Sequence, residues 1–248
     1  MIRYHTTDGS GIDHMKYDAK MPTVWAQHCP GVFLLYARKT HREKTGGNMK
    51  ALKIFLSAVL AGMTIGIGGT VYLSVDNSLA GALLFTVGLY AICTQGLHLF
   101  TGKAGYIVEH GAAYLFTLLI IWLGNLVGTG LVAIAVRSSR ICAIASKAGA
   151  IAAIRMNDGM PSLFLLAILC GLLMYTAVEG YRKTQNPLIL FCCVAAFILC
   201  GFEHCIADMY YFSAAAAWNA RSAARILVIT SGNLLGCALL PLYHRLPD

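Results

Sequence analysis

Six apolar blocks fill most of the chain after residue 50. Their approximate bounds are 52–75, 78–97, 112–136, 161–181, 188–216 and 222–243, with an interruption of the fifth block at Gly201. The hydrocarbon of a bilayer is about 30 Å thick and takes roughly 20 helical residues to cross. The chain is 58% hydrophobic and 12% charged, which leaves too little polar sequence to enclose a soluble core of 248 residues. We therefore predict an all-α membrane protein with six transmembrane helices.

The first 50 residues have a different composition, with eight Lys or Arg and four acids. The short apolar patch at 32–37 and the basic residues after it predict an amphipathic segment on the membrane surface. Because this basic cluster adjoins the first apolar block, we predict a cytoplasmic segment at 1–50 and a transmembrane channel domain at 51–248. Residues 1–14 are either native or added ahead of a second start at Met15, and the sequence leaves both alternatives open.

The same argument places both termini in the cytoplasm and the protein in the cell membrane, inner or plasma. A basic loop between the third and fourth blocks contains Arg137, Arg140, Lys147 and Arg155. In this orientation the loop would lie outside, against the tendency of basic loops to stay inside. The charge next to the first helix usually dominates, so we keep the cytoplasmic N-terminus.

Two short strings recur, GNLVG at 124–128 and GNLLG at 232–236, each in the third block of a half-chain. Three spans in each half give the halves opposite orientations, which predicts a 3+3 inverted repeat. The middle block of each half is interrupted by glycine and polar residues, at 96–105 and at 200–208. We therefore expect helices 2 and 5 to be broken, with irregular backbone that lines a cavity or is buried in protein. Asn125 and Asn233 are expected to hydrogen-bond between helices or to the breaks.

The second break carries Glu203, His204 and Asp208 directly after an apolar run. A charged side chain in mid-bilayer costs from about 2.5 to well over 10 kcal/mol, so it must face protein or water. Adjacent residues on a helix point about 100° apart, so Glu203 and His204 cannot both face one narrow pore. We assign His204 to the pore and Glu203 to backbone amides of the break or to a neighbouring helix. Asp208, one turn later, is expected to bias the charge of His204.

In combination, GFEH at 201–204, LFTG at 99–102 and the two GN strings resemble the formate/nitrite transporter family. The resemblance covers roughly residues 50–245. It implies a homopentamer of aquaporin-like protomers, each with its own pore for small monovalent anions such as formate, nitrite or hydrosulfide. His204 would be the central pore histidine and Thr101 the threonine of the opposite loop.

The resemblance also implies apolar pore constrictions on both sides of His204. The residues at the family's spacings are Phe85, Leu89, Leu99, Phe100 and Phe197, of which Leu99 and Phe100 fall in a mobile loop. A bare anion pays heavily to shed water between such side chains, whereas the neutral acid pays far less. We therefore predict that the solute gains a proton in or near the pore and passes as HX.

Three positions depart from the family pattern. Arg155 falls where a lysine is usual, Gly171 where the fourth helix has an asparagine, and Asp208 where asparagine is commoner. Arg155 either attracts the anion or is an ordinary loop cation. The preferred anion, the coupling to protons, the direction of flux and the resting protonation state of His204 stay open.

An alternative function is an intramembrane metal-dependent enzyme that uses His98, His110, His204 and the cysteines. Metal sites need three or four converging ligands. The chain has no HExxH or CxxC motif, and the adjacent His204 and Cys205 diverge on a helix. We predict no enzyme activity, no metal and no cofactor. The expected partners are small anions, protons, the lipid bilayer and further copies of the chain, and no nucleic acid.

Overall fold

A computed structural model describes the backbone of residues 30–247 and the side chains of residues 49–247. The expectations for residues 1–14 and for the amphipathic patch at 32–37 lie outside the described residues or side chains. The chain divides into two compact units between Asn48 and Met49. The second unit contains both interrupted blocks and the two GN strings.

The described residues are helical. In chain order the helices are α1 (Pro30–Ser74), α2 (Ser78–Gln95), α3 (Phe100–Lys103), α4 (Ile107–His110), α5 (Tyr114–Arg137), α6 (Ile144–Asn157), α7 (Met160–Thr184), α8 (Leu188–Leu199), α9 (Cys205–Ala214) and α10 (Ala220–Tyr243). A short 3-10 turn, Ala104–Tyr106, links α3 to α4. No strand occurs between residues 30 and 247, and the all-α prediction is confirmed.

Five helices are long and apolar enough to cross a membrane. They are the Met49–Ser74 part of α1 together with α2, α5, α7 and α10. The fifth apolar block of the sequence does not form one such helix. It is divided into α8, of 12 residues, and α9, of 10 residues, because the helix stops after Leu199 and resumes at Cys205.

Each interruption starts at a glycine in the left-handed region. Gly96 follows α2 with φ 64°, and Gly201 follows α8 with φ 69°. Residues with a Cβ rarely adopt this conformation, whereas glycine does so without steric cost. The next amide in each break donates back across the turn, from Leu97 N to Ile92 O and from Phe202 N to Phe197 O, both at 2.9 Å. This 6→1 hydrogen bond ends both helices in the same way.

The GN strings lie where helices cross closely. A Cβ at Gly128 of α5 would overlap the carbonyl oxygen of Val59 on α1, and one at Gly236 of α10 would overlap that of Ile168 on α7. The helices that follow the breaks pack on the opposite half of the chain. Helix α9 packs against α5, and α3 packs against α7 and α10. The two interruptions therefore meet inside the helical bundle.

The segment between the third and fourth apolar blocks is not a plain loop, as the sequence suggested, because it contains α6, which packs against α9. The buried Arg225 of α10 holds the end of α6. Its Nε donates to Arg155 O at 2.7 Å, and its Nη2 donates to Met156 O at 2.9 Å and Asp158 O at 3.1 Å. A cation at these carbonyls also suits the negative end of the helix dipole. Arg155 is thereby fixed beside α9.

Candidate functional site

Asn125 of α5 holds the first break. Its Oδ1 accepts a hydrogen bond from Phe100 N at 2.9 Å, and its Nδ2 donates to Ala58 O at 2.7 Å and His98 O at 3.0 Å. The amide of Phe100 belongs to the first turn of α3, where no carbonyl of the helix itself is available. One side chain therefore joins α5, α1 and the break.

Asn233 of α10 makes the matching set of bonds in the second break. Its Oδ1 accepts from Cys205 N at 2.9 Å, and its Nδ2 donates to Ala167 O and Glu203 O, both at 2.8 Å. Both asparagines therefore hydrogen-bond from their own helix to a neighbouring helix and to a break. They also align the two halves residue by residue: Phe100 corresponds to Cys205, and His98 corresponds to Glu203.

His204 and Thr101 meet where the two breaks come together. The His204 Nε2 atom lies 2.9 Å from Thr101 Oγ1, and both side chains are buried. His204 is also the N-cap of α9, because its Nδ1 accepts the amide of Ala207 at 3.1 Å. A neutral imidazole has one protonated nitrogen, so the acceptor role of Nδ1 assigns the proton to Nε2. His204 then donates to the Thr101 hydroxyl, whose own proton is free to be donated elsewhere.

Aromatic rings cover one side of this pair. The ring of Phe197 stacks on that of His204, with centroids 5.7 Å apart and an angle of 28° between the planes. Phe85 contacts Phe197 edge-on, with centroids 5.9 Å apart and an angle of 85°. The other residues of the predicted constrictions, Leu89, Leu99 and Phe100, are also buried.

Two cavities approach the His204–Thr101 pair. The first, the Arg155 cavity, has a volume of about 200 Å³ and is lined by Tyr72, Ile151, Ile154, Arg155, Phe197, Ile198, Gly201, Phe202, His204, Ala207, Asp208 and Tyr211. The second, the Lys103 cavity, has about 350 Å³ and is lined by Ile92, Cys93, Thr94, Gly96, Leu97, Leu99, Gly102, Lys103, Tyr106, Val178, Tyr181, Arg182 and Gln185. His204 lines the Arg155 cavity. Leu99 and Gly102, which flank Phe100 and Thr101 in the chain, line the Lys103 cavity. Phe85, Leu89 and Phe100 line neither.

Arg155 meets both acids of the second break. Its Nε lies 2.9 Å from Asp208 Oδ1 and 2.9 Å from Glu203 Oε2, and its guanidinium lies over the ring of Tyr211 at 5.9 Å. Only the contact with Asp208 has hydrogen-bond geometry. The N–H of Arg155 points at Asp208. The contact between Arg155 and Glu203 is therefore an ion pair without a directed hydrogen bond. Asp208 makes no hydrogen bond to His204, both of whose ring nitrogens are occupied.

A family model described as Formate/nitrite transporter matches residues 35–244. The chain belongs to the formate/nitrite transporter family. It is 26% identical to the formate channel FocA of Haemophilus influenzae, over 71% of this chain and 70% of that one. It is 28% identical to the nitrite transporter NirC of Escherichia coli, over 76% of this chain and 80% of that one.

Solved structures have the same fold. An FNT family ion channel superposes with a TM-score of 0.70 at 25% identity, covering 79% of this chain and 91% of its own. A pentameric formate channel with formate bound superposes with a TM-score of 0.67 at 23% identity, covering 79% and 96%. The matched relatives are named as channels and transporters, in agreement with the prediction that this formate/nitrite transporter is not an enzyme.

The metal-dependent alternative finds no support. Among residues 49–247, no three His, Cys, Asp or Glu side chains are grouped so that they could hold a metal ion. The Nδ1 of His98, one of the proposed ligands, pairs with Ser57 Oγ at 2.7 Å.

Gly171, which falls where the family's fourth helix has an asparagine, lies at a close helix crossing in this structure. A Cβ at this position would overlap the carbonyl oxygen of Asn233, so Gly171 lies at the crossing of α7 and α10. A side chain there would separate the helices before it could reach a pore.

Two residues of the site were not singled out from the sequence. Lys103 lines the second cavity, and Arg225 fixes the end of α6. Arg225 could have been singled out from the sequence, because a charged side chain inside the sixth apolar block must have a polar partner. Lys103 in the first half corresponds to Asp208 in the second. The hydrogen bonds of the two asparagines give this correspondence, and the glycines that start the two breaks agree with it.

Proposed function

We propose that this protein conducts small monovalent anions of the formate, nitrite and hydrosulfide class through a pore in each protomer. The solute would pass between the Arg155 cavity and the Lys103 cavity, next to His204 and Thr101. The observation that carries the proposal is the 2.9 Å contact between these two buried side chains, which come from the two opposed breaks. Relatives named as formate channels and nitrite transporters support the solute class.

The hydrogen bonds of His204 suit the recognition of an anion. Its Nδ1 is occupied by the amide of Ala207, so the neutral ring presents the Nε2–H to the pair with Thr101. An anion that enters between them receives hydrogen bonds from the imidazole and from the hydroxyl. A histidine can do this while neutral and can also take up a proton near physiological pH.

The apolar surroundings select the neutral acid over the bare anion. Phe197, Phe85, Leu89 and Leu99 offer no hydrogen bond to replace the water that an ion would lose. The loss of a charged solute's hydration is far more costly than the loss of a neutral solute's hydration. We therefore propose that X⁻ is attracted by the cations of the two cavities, gains a proton and crosses the constrictions as HX.

We further propose that the protein is a homopentamer in the cell membrane, with a cytoplasmic segment at 1–50, a channel domain at 51–248 and both termini in the cytoplasm. Structural similarity to a pentameric formate channel supports the pentamer. The spanning helices expose large apolar side chains, among them Leu60, Leu119, Leu165 and Leu227, which suits contact with lipid or neighbouring protomers.

The test is uptake into proteoliposomes of formate, nitrite, hydrosulfide, acetate and chloride, measured in parallel between about pH 5 and 8, where an unperturbed histidine titrates. We expect flux of the small weak-acid anions, faster at low pH, and far less flux of chloride, whose conjugate acid is not formed. Thr101→Val, which keeps the shape of the side chain but not its hydroxyl, should reduce this flux.

A Thr94→Val variant is the matched control, because Thr94 lies in the Lys103 cavity but its hydroxyl bonds only its own helix. Chloride and formate fluxes of equal size and equal pH dependence would contradict passage as the neutral acid. No flux of any weak-acid anion above that of empty liposomes would contradict the function.

A further inference from the structure

We propose that Glu203 and Asp208 share one proton beside Arg155 and that Asp208 transfers it to the anion in the Arg155 cavity. This inference rests on the proposed function and names the groups that supply the proton. It starts from a charge imbalance that is specific to this site. One guanidinium faces two carboxylates, with 2.9 Å from the same Nε to an oxygen of each.

Burial makes this imbalance costly. The side chains of Glu203 and Asp208 are 4% and 1% exposed, and that of Arg155 is 13% exposed. Two carboxylates that share one buried site cannot both keep their charge when a single cation compensates them. Uptake of one proton makes the set of three side chains neutral. An entering anion would then meet no net negative charge.

The hydrogen bonds of the cluster leave room for this proton. Within residues 49–247, Glu203 Oε2 and Asp208 Oδ2 are buried and have no hydrogen-bond partner. A buried carboxylate oxygen without a donor loses its hydration without compensation. A proton on one acid would supply the missing donor, and the other acid would accept it, because both carboxylates approach the same nitrogen of Arg155.

Other charged and titratable groups near the pair do not remove the imbalance. Those on the elements around it are Tyr72 of α1, Arg155 of α6, Cys170 of α7, His204, Cys205 and Tyr211 of the second break and α9, Arg225 of α10, and Asp158 after α6. Arg225 is the second cation, but its N–H groups donate to the carbonyl oxygens of Arg155, Met156 and Asp158. Asp158 adds a further acid. From α5, which also packs on α9, the only charged side chain is the exposed Arg137 at its end.

The cavity gives the anion access to this proton. Arg155, Asp208 and His204 all line it, whereas Glu203 does not. In the transfer step, the O–H bond of the Asp208 carboxyl breaks and an H–X bond forms. Asp208 and Glu203 are then both carboxylates beside Arg155, with one net negative charge until the acid is restored, and HX moves past Phe197. A proton from water in the cavity then binds to Asp208 or to Glu203 and restores the shared proton.

Infrared spectroscopy can detect the shared proton without any transport. A protonated carboxyl group has a C=O stretching band, sensitive to exchange into D₂O, that a carboxylate lacks. We expect purified wild-type oligomer, in a detergent without ester groups, to show this band near neutral pH. Asp208→Asn and Glu203→Gln should each abolish it, because the remaining acid then pairs with Arg155 alone and ionises. Asp76→Asn, which changes an exposed acid paired with Lys147, is the control and should leave the band unchanged.

Flux measurements give the second readout. In proteoliposomes, Asp208→Asn should lower the ratio of formate flux at high pH to flux at low pH by on the order of tenfold or more, since one proton donor is lost. Asp76→Asn should leave the ratio as in wild type. An unchanged ratio in Asp208→Asn would overturn the transfer step.

Three spectroscopic results would overturn the shared proton. They are the absence of the band in wild type, its persistence in both variants, and its loss in only one variant, which would place the proton on a single acid. The wild-type result stands even if a variant fails to assemble. Absence of anion flux in wild type would instead refute the proposed function, with the infrared result unaffected.

Discussion

The two breaks of the chain share a scaffold but carry different chemistry. At each break the helix ends on a glycine with φ between 64° and 69°, and an asparagine from the last long helix of the same half holds the amide at which the helix resumes. The backbone geometry is thus repeated. The side chains at corresponding positions differ. His98 corresponds to Glu203, Leu99 to His204, and Lys103 to Asp208.

The two breaks therefore share the residues that fix the backbone but differ in the side chains that they contribute to the site. The first break contributes a hydroxyl, apolar side chains and a cation, and the second contributes the imidazole and two acids. Lys103 and Arg182 therefore line one cavity, whereas Arg155 and Asp208 line the other. A repeated backbone with unequal side chains therefore gives two cavities that differ in their charged groups.

The largest expected effect tests the shared scaffold. Asn125→Ala and Asn233→Ala each leave the buried amide at which the helix resumes without its acceptor and remove one donor from each of two carbonyl oxygens, at about 1–3 kcal/mol for each buried group left unsatisfied. We expect both variants to lose the stable oligomer to a similar extent, as judged by size-exclusion chromatography after heating. Asn77→Ala, which removes only an exposed helix cap, is the control. Tolerance of one change but not the other would show that the breaks are not equivalent supports.

A slightly smaller effect is expected where the two breaks differ. Arg155→Ala leaves Glu203 and Asp208 without their cation, and removal of one partner from a buried ion pair costs about 3–5 kcal/mol. Lys147→Ala breaks an ion pair whose two side chains are 50% and 98% exposed, so it should change the stability of the oligomer very little. Thermal unfolding of the two oligomers measures the contrast. Equal melting temperatures would mean that the Arg155 cluster contributes no more than a surface pair.

Local sequence was informative about the scaffold for physical reasons. Long apolar runs have few alternatives to membrane helices, glycines mark the points where those helices stop, and the repeated GN strings mark the close crossings. The polar residues of the second break were identifiable as a site because charge at membrane depth needs a partner. The family resemblance added the role of His204 and its expected contact with Thr101.

Partners that lie far apart in the chain could not be read in this way. Arg155 and Asp208 are separated by 53 positions, and nothing in either segment indicates that Arg225 fixes the end of α6 beside them. The same limit applies to Gly171, whose contact with Asn233 depends on how two helices cross. The interruption of the fifth apolar block at Gly201 was predicted, but composition did not indicate that the helix resumes at Cys205, inside the predicted break at 200–208.

A moderate effect is expected at the aromatic constriction. Phe197→Ala removes the ring between Phe85 and His204, so larger monocarboxylates such as propionate should gain flux relative to formate by roughly tenfold. Phe116→Ala changes an exposed ring on α5 that lines neither cavity and should keep the wild-type ratio. The measurement is paired uptake of the two acids into proteoliposomes. An unchanged size cutoff in Phe197→Ala would remove this residue from the pore lining.

The smallest effect is expected from the cation of the first break. Lys103 lies over the ring of Tyr106 at 5.3 Å and lines the Lys103 cavity, where we propose that its charge attracts anions from solution. Lys103→Gln should lower formate flux about two- to fivefold at low ionic strength, and the difference should fade as salt shortens the range of the charge. Lys53→Gln is the control, since this exposed lysine lines neither cavity. A loss in Lys103→Gln that is independent of salt would contradict electrostatic attraction.

The pH dependence of flux in His204→Asn tests the central claim most directly. Asparagine can accept the amide of Ala207 as an N-cap and can donate to Thr101 or a solute, but it cannot titrate. We therefore predict an intact oligomer whose formate flux between about pH 5 and 8 follows a different curve from wild type, because the variant lacks the one side chain of the His204–Thr101 pair that can take up a proton. A curve that superimposes on wild type, from a variant that still assembles, would contradict a role of His204 in transport.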